Sequence, residues 1–196
     1  MTTSPTARAD LTALLADPVS FFEHPDAELR RLAVSACAVR AAELVSPIGD
    51  VLATDPDPRV RAEAAEVLGY AGSGAIEALD RAREDSDDLV VEAVATAYGE
   101  VGETDAVGWL AQEAVGSESR LIREAAVAAL GAIGDDRAIP VLLDLVENGP
   151  PQVRRRCVVA LTVFDDPGIE PALEAAVRDR NPGVREAAAM VLGRRA

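Results

Sequence analysis

The stretch that decides the fold is DPRVRAEAAEVLG, residues 57–69, because close variants of it recur along the chain. Five further segments share its pattern: DAELRRLAVSAC from Asp26, DDLVVEAVATAYG from Asp87, SRLIREAAVAALG from Ser119, PQVRRRCVVALT from Pro151 and NPGVREAAAMVLG from Asn181. Each has an aliphatic anchor, and the anchors Leu29, Val60, Val90, Ile122, Val153 and Val184 are separated by 31, 30, 32, 31 and 31 residues. A period this regular indicates an array of structural repeats.

Each segment is predicted to form a helix. Apolar or small residues recur four and eight residues after the anchor, as in Val60, Ala64 and Leu68, which is one face of a 3.6-residue helix. We number positions from the anchor, so that Ala64 is +4 and Leu68 is +8. The expected N-caps are Asp57, Asp87, Ser119 and Asn181. The glycines at +9 are predicted to turn the chain out of the helix, at Gly69, Gly99, Gly131 and Gly193.

A second set of helices is predicted between the first-set helices, beginning near Ser46, Gly74, Asp105, Arg137 and Gly168. Three prolines, Pro47, Pro140 and Pro171, each precede the next anchor by 13 residues. That phase places them near a helix start, where the missing N–H is least harmful. Since one helix pair cannot bury both of its faces alone, neighbouring pairs must stack.

The predicted fold is all-α, a right-handed α-solenoid of about six helix-pair repeats. Residues 26–196 are expected to form one continuous array, and residues 1–25 to form capping helices, split at Pro18. The apolar residues of that cap are expected to pack on the first repeat: Leu11, Leu14, Leu15, Val19, Phe21 and Phe22. At the other end, Arg194 and Arg195 would suit a helix C-terminus.

The pattern resembles the HEAT-like repeats first recognised in phycobilisome lyase subunits. The resemblance is carried by D-P-x-V-R-x-x-A-A-x-x-L-G-like strings around Asp57, Ile122 and Val184, and by RAIPVLLDLV from Arg137. It implies that the first-set helices line a concave surface, and that the Arg at +1 pairs with acidic turn residues between repeats. Five repeats have that residue, Arg30, Arg61, Arg123, Arg154 and Arg185, whereas the third has Val91.

Composition and charge restrict the function. The net charge is −15, the chain contains no Lys, and 49% of its residues are apolar but only 3% aromatic. An acidic surface repels phosphate, which disfavours nucleic acids and anionic membranes as partners. Salt adaptation and a basic partner both explain the acidity. With two cysteines, no signal peptide and no apolar run of ~20 residues, a soluble cytoplasmic protein is expected.

No residue pattern predicts catalysis, and we expect no metal and no cofactor. Enzymes with HEAT-like repeats that hold iron need repeated His–Glu pairs, but this chain has the single His24. Cys37 and Cys157 occupy core positions of their helices. Trp109 lies in a second-set helix, where packing is its expected role. Tyr70, Tyr98 and Trp109 are too few and too scattered along the chain to predict an aromatic-lined bilin site.

Two charged groups have more than one interpretation. The acidic residues of successive loops could serve capping and solubility, or form a docking rim for a basic partner: Glu100, Glu103, Asp105, Asp135, Asp136, Asp165 and Asp166. The one basic run is Arg154, Arg155 and Arg156, of which the last two are predicted to point to the concave side.

The predicted function is that of a protein-binding scaffold or adaptor that uses the concave face. Its partner is expected to be a protein, with a basic segment attracted by the Glu positions. The alternative is a bilin-lyase-like or other regulatory subunit of a hetero-oligomeric enzyme, or a chain that self-associates through its C-terminal helix. The predicted contact residues are Arg31, Ser35, Glu63, Glu66, Glu92, Thr96, Glu124, Arg155, Arg156, Val159, Glu186 and Met190.

Overall fold

The computed structural model describes residues 5–193, and the side chains of residues 11–193. Every regular element in this part of the chain is helical, as the repeat pattern predicts. The α-helices are α1 (Pro5–Ala16), α2 (Ala27–Ala36), α3 (Val45–Thr54), α4 (Pro58–Gly69), α5 (Ile76–Arg81), α6 (Asp88–Val101), α7 (Val107–Gly116), α8 (Arg120–Ile133), α9 (Ile139–Asn148), α10 (Pro151–Ala160), α11 (Ile169–Ala176) and α12 (Pro182–Val191). No helix among the described residues is both long and apolar enough to cross a membrane.

The chain divides into two compact units, Met1–Ala97 and Tyr98–Ala196. The first contains α1 to α5 and most of α6. The second contains the last turn of α6 and α7 to α12. Short 3-10 helices connect many of these elements, for example Gly72–Ala75 in the first unit and Asp136–Ala138 in the second.

The predicted helix sets are confirmed. The six repeated segments correspond to α2, α4, α6, α8, α10 and α12, and the intervening segments to α3, α5, α7, α9 and α11. In the first unit α2 packs against α4, and in the second α8 packs against α10 and α10 against α12. Pro47, Pro140 and Pro171 lie within the first three residues of α3, α9 and α11, as their phase predicts.

The N-terminal cap is also split as predicted, since α1 ends before Asp17 and a 3-10 helix begins at Pro18. Its packing differs from the prediction. Leu14 is buried, but Leu11, Leu15 and Val19 are exposed. A single short helix can pack only one of its faces against α2, and Leu14 lies on that face. Residues 1–4, Arg194 and Arg195 lie outside the described part.

The first-set helices are capped largely as predicted. The side chains of Asp57, Asp87 and Asn181 accept hydrogen bonds from backbone N–H groups two residues later, at 2.9, 3.0 and 2.9 Å. Asp26 does the same for α2, with a bond of 2.8 Å from the N–H of Glu28. The prediction for Ser119 is wrong, because its side chain forms no capping bond although it occupies the N-cap position of α8.

The glycine that turns the chain lies three residues later than predicted. Gly72, Gly102 and Gly134, at +12, have φ of 69°, 75° and 68°, in the left-handed region that residues with a Cβ disfavour. Of the +9 glycines, Gly193 has a positive φ of 67°, and Gly69 is the last residue of α4.

The other two +9 glycines, Gly99 and Gly131, lie inside helices and have a packing role. A Cβ on Gly131 would lie 2.9 Å from both the Cα and the Cβ of Ala160 in α10. A Cβ on Gly99 would lie 3.0 Å from the Cα of Ala129 in α8. These glycines therefore set how closely adjacent first-set helices approach.

The core of each unit lies between its two helix sets. The +4 residues are fully buried in all six repeats, and so are Leu68 and Leu130 at +8. The six are Ala33, Ala64, Val94, Ala126, Cys157 and Ala188. Leu52, Leu79, Leu110, Leu142 and Leu173 reach this core from the second-set helices. Small residues on one set and leucines on the other allow close contact without large aromatic side chains.

We predict that Gly131→Ala destabilises the protein. Alanine is the better helix former by ~1 kcal/mol, but here its methyl would displace the backbone of α10, which costs ~1–3 kcal/mol. The matched control is Gly108→Ala, at a helical position with nothing within 4 Å of the added Cβ, and it should be neutral or stabilising. Urea unfolding curves measure both, and a Gly131→Ala variant as stable as the control would contradict the packing role.

Candidate functional site

Arg–Asp ion pairs join the turns that precede adjacent first-set helices. In the first unit, Nε of Arg30 donates to Asp55 Oδ2 at 2.7 Å and Nη2 donates to Oδ1 at 2.9 Å. Both side chains are buried, at 9% and 7% exposure. The remaining guanidinium nitrogen, Nη1, donates to the carbonyl oxygen of His24 at 2.8 Å. One guanidinium thus binds the turn before its own helix and the turn before the next one.

Asp55 connects this pair to the next one. Its Oδ1 accepts the backbone N–H of Asp57 at 2.9 Å, and its carbonyl oxygen accepts Nη1 of Arg61 at 2.9 Å. Arg61 in turn forms two bonds of 2.8 Å with Asp85. The pKa of Asp85 is lowered, mainly by the hydrogen bond from Arg61.

The second unit has an equivalent pair at Arg154 and Asp179. The two bonds are both 2.7 Å, and Nη1 of Arg154 donates to the carbonyl oxygen of Gly149 at 2.7 Å. Arg154 is 1% exposed. The hydrogen bond from Arg154 is the main cause of the lowered pKa of Asp179. The carbonyl oxygen of Asp179 accepts Nη1 of Arg185 at 2.9 Å, so the connection continues into α12.

Arg123 does not form the ion pair that the resemblance implies. Its Nη2 donates to the carbonyl oxygen of Glu118 at 3.3 Å, and its buried Nε has no hydrogen-bond partner in the described part of the chain. The reason lies in the next repeat. The acidic partner stands five residues before the anchor, at Asp55, Asp85 and Asp179, but Asn148 occupies that position before Val153.

The predicted contact residues lie on two stripes, one in each unit. The unit-1 stripe comprises Arg31, Ser35, Glu63, Glu66, Glu92 and Thr96, and the unit-2 stripe comprises Glu124, Arg155, Arg156, Val159, Glu186 and Met190. The +6 residues Ser35, Glu66, Thr96, Val159 and Met190 are all exposed, whereas Arg31, Glu63, Glu92 and Glu124, at +2 or +3, are half-buried. Position +6 therefore points away from the neighbouring helices.

Within the unit-1 stripe, one glutamate is paired and two are not neutralised. Nη1 of Arg31 donates to Oε2 of Glu63 at 2.7 Å, which joins α2 to α4. The pKa of Glu66 is raised by burial and by the charges of Glu63 and Glu92. Burial also raises the pKa of Glu92, against a hydrogen bond from Thr96 that lowers it. The stripe therefore holds negative charge that a bound cation would stabilise.

Within the unit-2 stripe the acidic residue lies on the earlier helix and the arginine on the later one, and the ion-pair distances are longer. Glu124 of α8 lies 3.4 Å from Nε of Arg120 and 3.8 Å from Nε of Arg156 in α10. In both units, the +2 residue of one helix thus faces the +3 residue of the next. Arg155 is at +2 of α10, but Ala187 stands at +3 of α12. Arg155 consequently forms no ion pair with any described residue.

The other candidate residues are structural in this fold. Cys37 and Cys157 are unpaired and buried, and desolvation raises the pKa of Cys157 to about 12. The indole of Trp109 packs edge-on against buried Tyr98, with ring centroids 5.7 Å apart. His24 stacks on Phe21, and its Nδ1 accepts the N–H of Asp26. The described residues contain no cluster of three or more His, Cys, Asp or Glu that could hold a metal.

Several of the acidic loop residues accept backbone N–H groups, and two of them, Glu103 and Asp135, cap short 3-10 helices. Glu103 accepts the N–H of Asp105 at 2.9 Å, Asp135 accepts that of Arg137 at 2.9 Å, and Asp166 accepts that of Gly168 at 2.8 Å. These bonds support the first of the two interpretations of the acidic loops, in which the carboxylates satisfy free backbone groups.

Sequence reasoning placed the arginines and the stripes but missed their partners. The signal for Asp55, Asp85 and Asp179 was present, as an acid five residues before the anchor. The pair Arg31–Glu63 spans 32 residues, and only the packing of α2 on α4 makes it visible.

Two clefts lie elsewhere on the units. One, of about 660 Å³ in the first unit, is lined by Phe22, His24, Arg30, Asp50 and Asp55 among others. The other, of about 340 Å³, lies between α9 and α11 and is lined by Leu143, Val146, Ala172 and Asp179 among others. Three residues of the ion pairs, Arg30, Asp55 and Asp179, thus border these clefts, and their charges are already paired.

Comparisons with known proteins agree with this geometry. A family model described as HEAT repeats matches residues 19–99, 77–161 and 145–196. No curated protein matches the sequence. Among solved structures, the chain is similar to the CpcE–CpcF complex of phycocyanin lyase from Nostoc sp. PCC7120, with 23% identity, a TM-score of 0.68, and coverage of 91% of this chain and 76% of that one.

Two further structures share the fold. The X-ray structure of YibA from E. coli has 16% identity and a TM-score of 0.66, over 98% of this chain and 76% of that one. An engineered protein has 19% identity and a TM-score of 0.59, over 91% of this chain and 97% of that one. At these identities the similarity concerns the fold alone.

We predict that Arg154→Ala lowers the free energy of unfolding by about 3 kcal/mol, because it leaves the carboxylate of Asp179 and the carbonyl of Gly149 without their donor. Arg155→Ala, one residue along and exposed, should change it by no more than ~0.5 kcal/mol. Urea unfolding measures both variants. Equal effects of the two substitutions would show that the ion pair does not hold α10 and α12 in place.

We predict that Glu92 makes stability increase on mild acidification. Its folded-state pKa is raised, above an unfolded value of ~4.3, so the folded state binds more protons between these values. The contribution of Glu92 to stability therefore rises as pH falls from neutral through the folded pKa, and it is complete below the unfolded pKa of ~4.3. Glu92→Gln should be more stable than wild type at neutral pH and gain less on acidification.

Unfolding free energies measured across this pH range test the prediction, with Glu118→Gln, an exposed residue outside the helices, as control. If the Glu92→Gln variant keeps the pH dependence of the wild type, the predicted contribution of Glu92 is wrong.

Proposed function

Because this chain belongs to the HEAT-repeat family, we propose that it is a protein-binding scaffold or adaptor, which holds partners against the exposed faces of its first-set helices. The observation that carries the proposal is the +6 row, whose side chains are exposed in every repeat. Within each unit, ion pairs or glycine contacts hold adjacent first-set helices at a fixed spacing, so that the part of the row in that unit is a pre-organised surface. Pre-organisation reduces the ordering cost of binding.

The first unit suits a basic segment of a partner. Glu66 and Glu92 remain without a cation, and Glu63 shares one with Arg31. A Lys or Arg side chain would relieve the repulsion between these carboxylates, and small neighbours such as Ser35 and Thr96 would let a peptide approach closely.

Binding without catalysis is part of the proposal. Both thiols are buried, and desolvation raises the pKa of each, which opposes formation of the nucleophilic thiolate. The free cysteines also suit a reducing compartment, so we expect the protein to act in the cytoplasm.

A regulatory subunit of a hetero-oligomeric enzyme is the second candidate. The observation that favours it is the similarity to phycocyanin lyase, whose structure is a complex of two proteins, CpcE and CpcF. Co-purification of one catalytic protein in fixed ratio with this chain would support this candidate over a general adaptor.

We predict that Glu66→Arg weakens the binding of partner proteins and leaves the fold intact. Glu66 is exposed and forms no ion pair with the described residues, whereas Glu63→Arg would place a second cation beside Arg31. The measurement is affinity capture from the native host, quantified by mass spectrometry and followed by titration of the purified partner. Reversing the charge at this one contact should weaken the affinity for the purified partner about tenfold or more.

The matched control is Glu77→Arg, the same charge change on α5 of the second set, where the side chain is 88% exposed. It should leave the captured partners unchanged. Capture of identical partners by wild type and by the Glu66→Arg variant would refute the proposed use of the unit-1 stripe.

A further inference from the structure

The +6 row changes character between the units. In the first unit its members are polar: Ser35, Glu66 and Thr96. In the second unit they are apolar: Ala128, Val159 and Met190, all exposed, with Val159 at 57% and Met190 at 73%. Val159 and Met190 stand on adjacent packed helices, α10 and α12. Neighbouring exposed apolar side chains on a rigid surface are typical of binding sites, and Met adapts its shape to a partner.

The charges beside this apolar row are also different. Arg155 and Arg156 precede Val159 by one turn of α10, on the same face. Arg155 has no acidic partner among the described residues, and its Cδ lies 3.9 Å from the Cβ position at Gly183, in the first turn of α12. Arg156 reaches Glu124 only at 3.8 Å. The apolar row of the second unit is therefore flanked by two exposed cations.

We propose that the unit-2 stripe binds an acidic segment of a partner protein that carries aliphatic or aromatic anchors. Val159 and Met190 receive the apolar side chains, and Arg155 and Arg156 bind the carboxylates. An apolar anchor surrounded by charge-complementary contacts is the pattern of helix-in-groove and extended-peptide recognition. The inference rests on the proposed scaffold function and assigns to the second unit a partner chemistry opposite to that of the first.

Charge complementarity selects this occupant over a basic one. Glu186 and Glu124 are the acids of the stripe, and Glu124 already lies between Arg120 and Arg156. A basic peptide would meet unpaired Arg155 directly, which costs binding free energy. A second copy of this acidic chain remains as a competing occupant that the test must separate.

The test is selection from a displayed library of random peptides on the immobilised protein, followed by fluorescence anisotropy with the enriched peptides. Enriched sequences should combine Asp or Glu with Leu, Ile, Phe or Met. Arg155→Gln should weaken them about fivefold or more, and the double variant Val159→Thr with Met190→Gln about tenfold or more. Binding should also weaken as salt increases. A polyglutamate peptide, which lacks anchors, should bind far more weakly.

The controls are matched in the same unit. Val115→Thr changes a side chain of α7 that is also 57% exposed, and Arg178→Gln removes an exposed arginine after α11. Neither should alter peptide affinity. Because every substituted side chain is exposed, circular dichroism melts should match the wild type.

Three outcomes of the peptide selection overturn the proposal: enrichment of basic peptides, absence of enrichment, or enriched peptides that bind all variants equally. A mass that increases with concentration in light scattering, and no longer does so for Arg155→Gln, would overturn it as well, since a second copy would then cover the stripe. These failures differ from failure of the scaffold function, in which Glu66→Arg also leaves every captured partner in place.

Discussion

The structure depends on a guanidinium that binds two consecutive turns at once. Arg30 and Arg154 each donate to a carbonyl of the turn before their own helix and, through two bonds, to an aspartate of the turn before the next. The same aspartate orders its own turn by accepting a backbone N–H, at Asp57 or Asn181. Each pair therefore fixes both the local turn and the position of the neighbouring helix. Arginine suits this role because its planar group has donors in three directions and stays charged when buried.

A close glycine–alanine contact acts on α10 at its other end. Gly131 of α8 lies against Ala160, the last residue of α10, whereas the ion pair of Arg154 with Asp179 lies at the start of α10. A helix held at both ends presents its outward residues in a fixed row. The chemistry of that row is then free to vary, because none of its members is needed for the core. The polar row of the first unit and the apolar row of the second show that this freedom has been used.

Much of this could be predicted from the sequence, because a repeat reveals itself through its period. The anchors located the first-set helices, and the proline phase located the second set. The expected ion pairs of the +1 arginines were correct for Arg30, Arg61 and Arg154, but not for Arg123 or for Arg185, which donates to carbonyl oxygens instead. Two of the failures share one cause, which is that each depends on a neighbouring repeat. The packing role of Gly131 depends on Ala160 of the next repeat. Arg123 lacks an ion pair because Asn148 stands where the next repeat would have its aspartate. Ser119 has a capping side chain by type, and nothing in the structure explains why it forms no bond.

The spacing of the ion pairs also constrains how such a chain can change in length. The partners lie 24 or 25 residues apart, so each pair belongs to two repeats. A repeat that is deleted or duplicated as a unit carries the arginine of one pair and the aspartate of another. If a deletion or duplication begins and ends at the same position of the repeat, every arginine still meets an aspartate. Otherwise a buried charged side chain is left without its partner. A change of length by whole repeats therefore keeps the pairs complete, and Asn148 marks a position where the arginine of the preceding repeat is left without its acid.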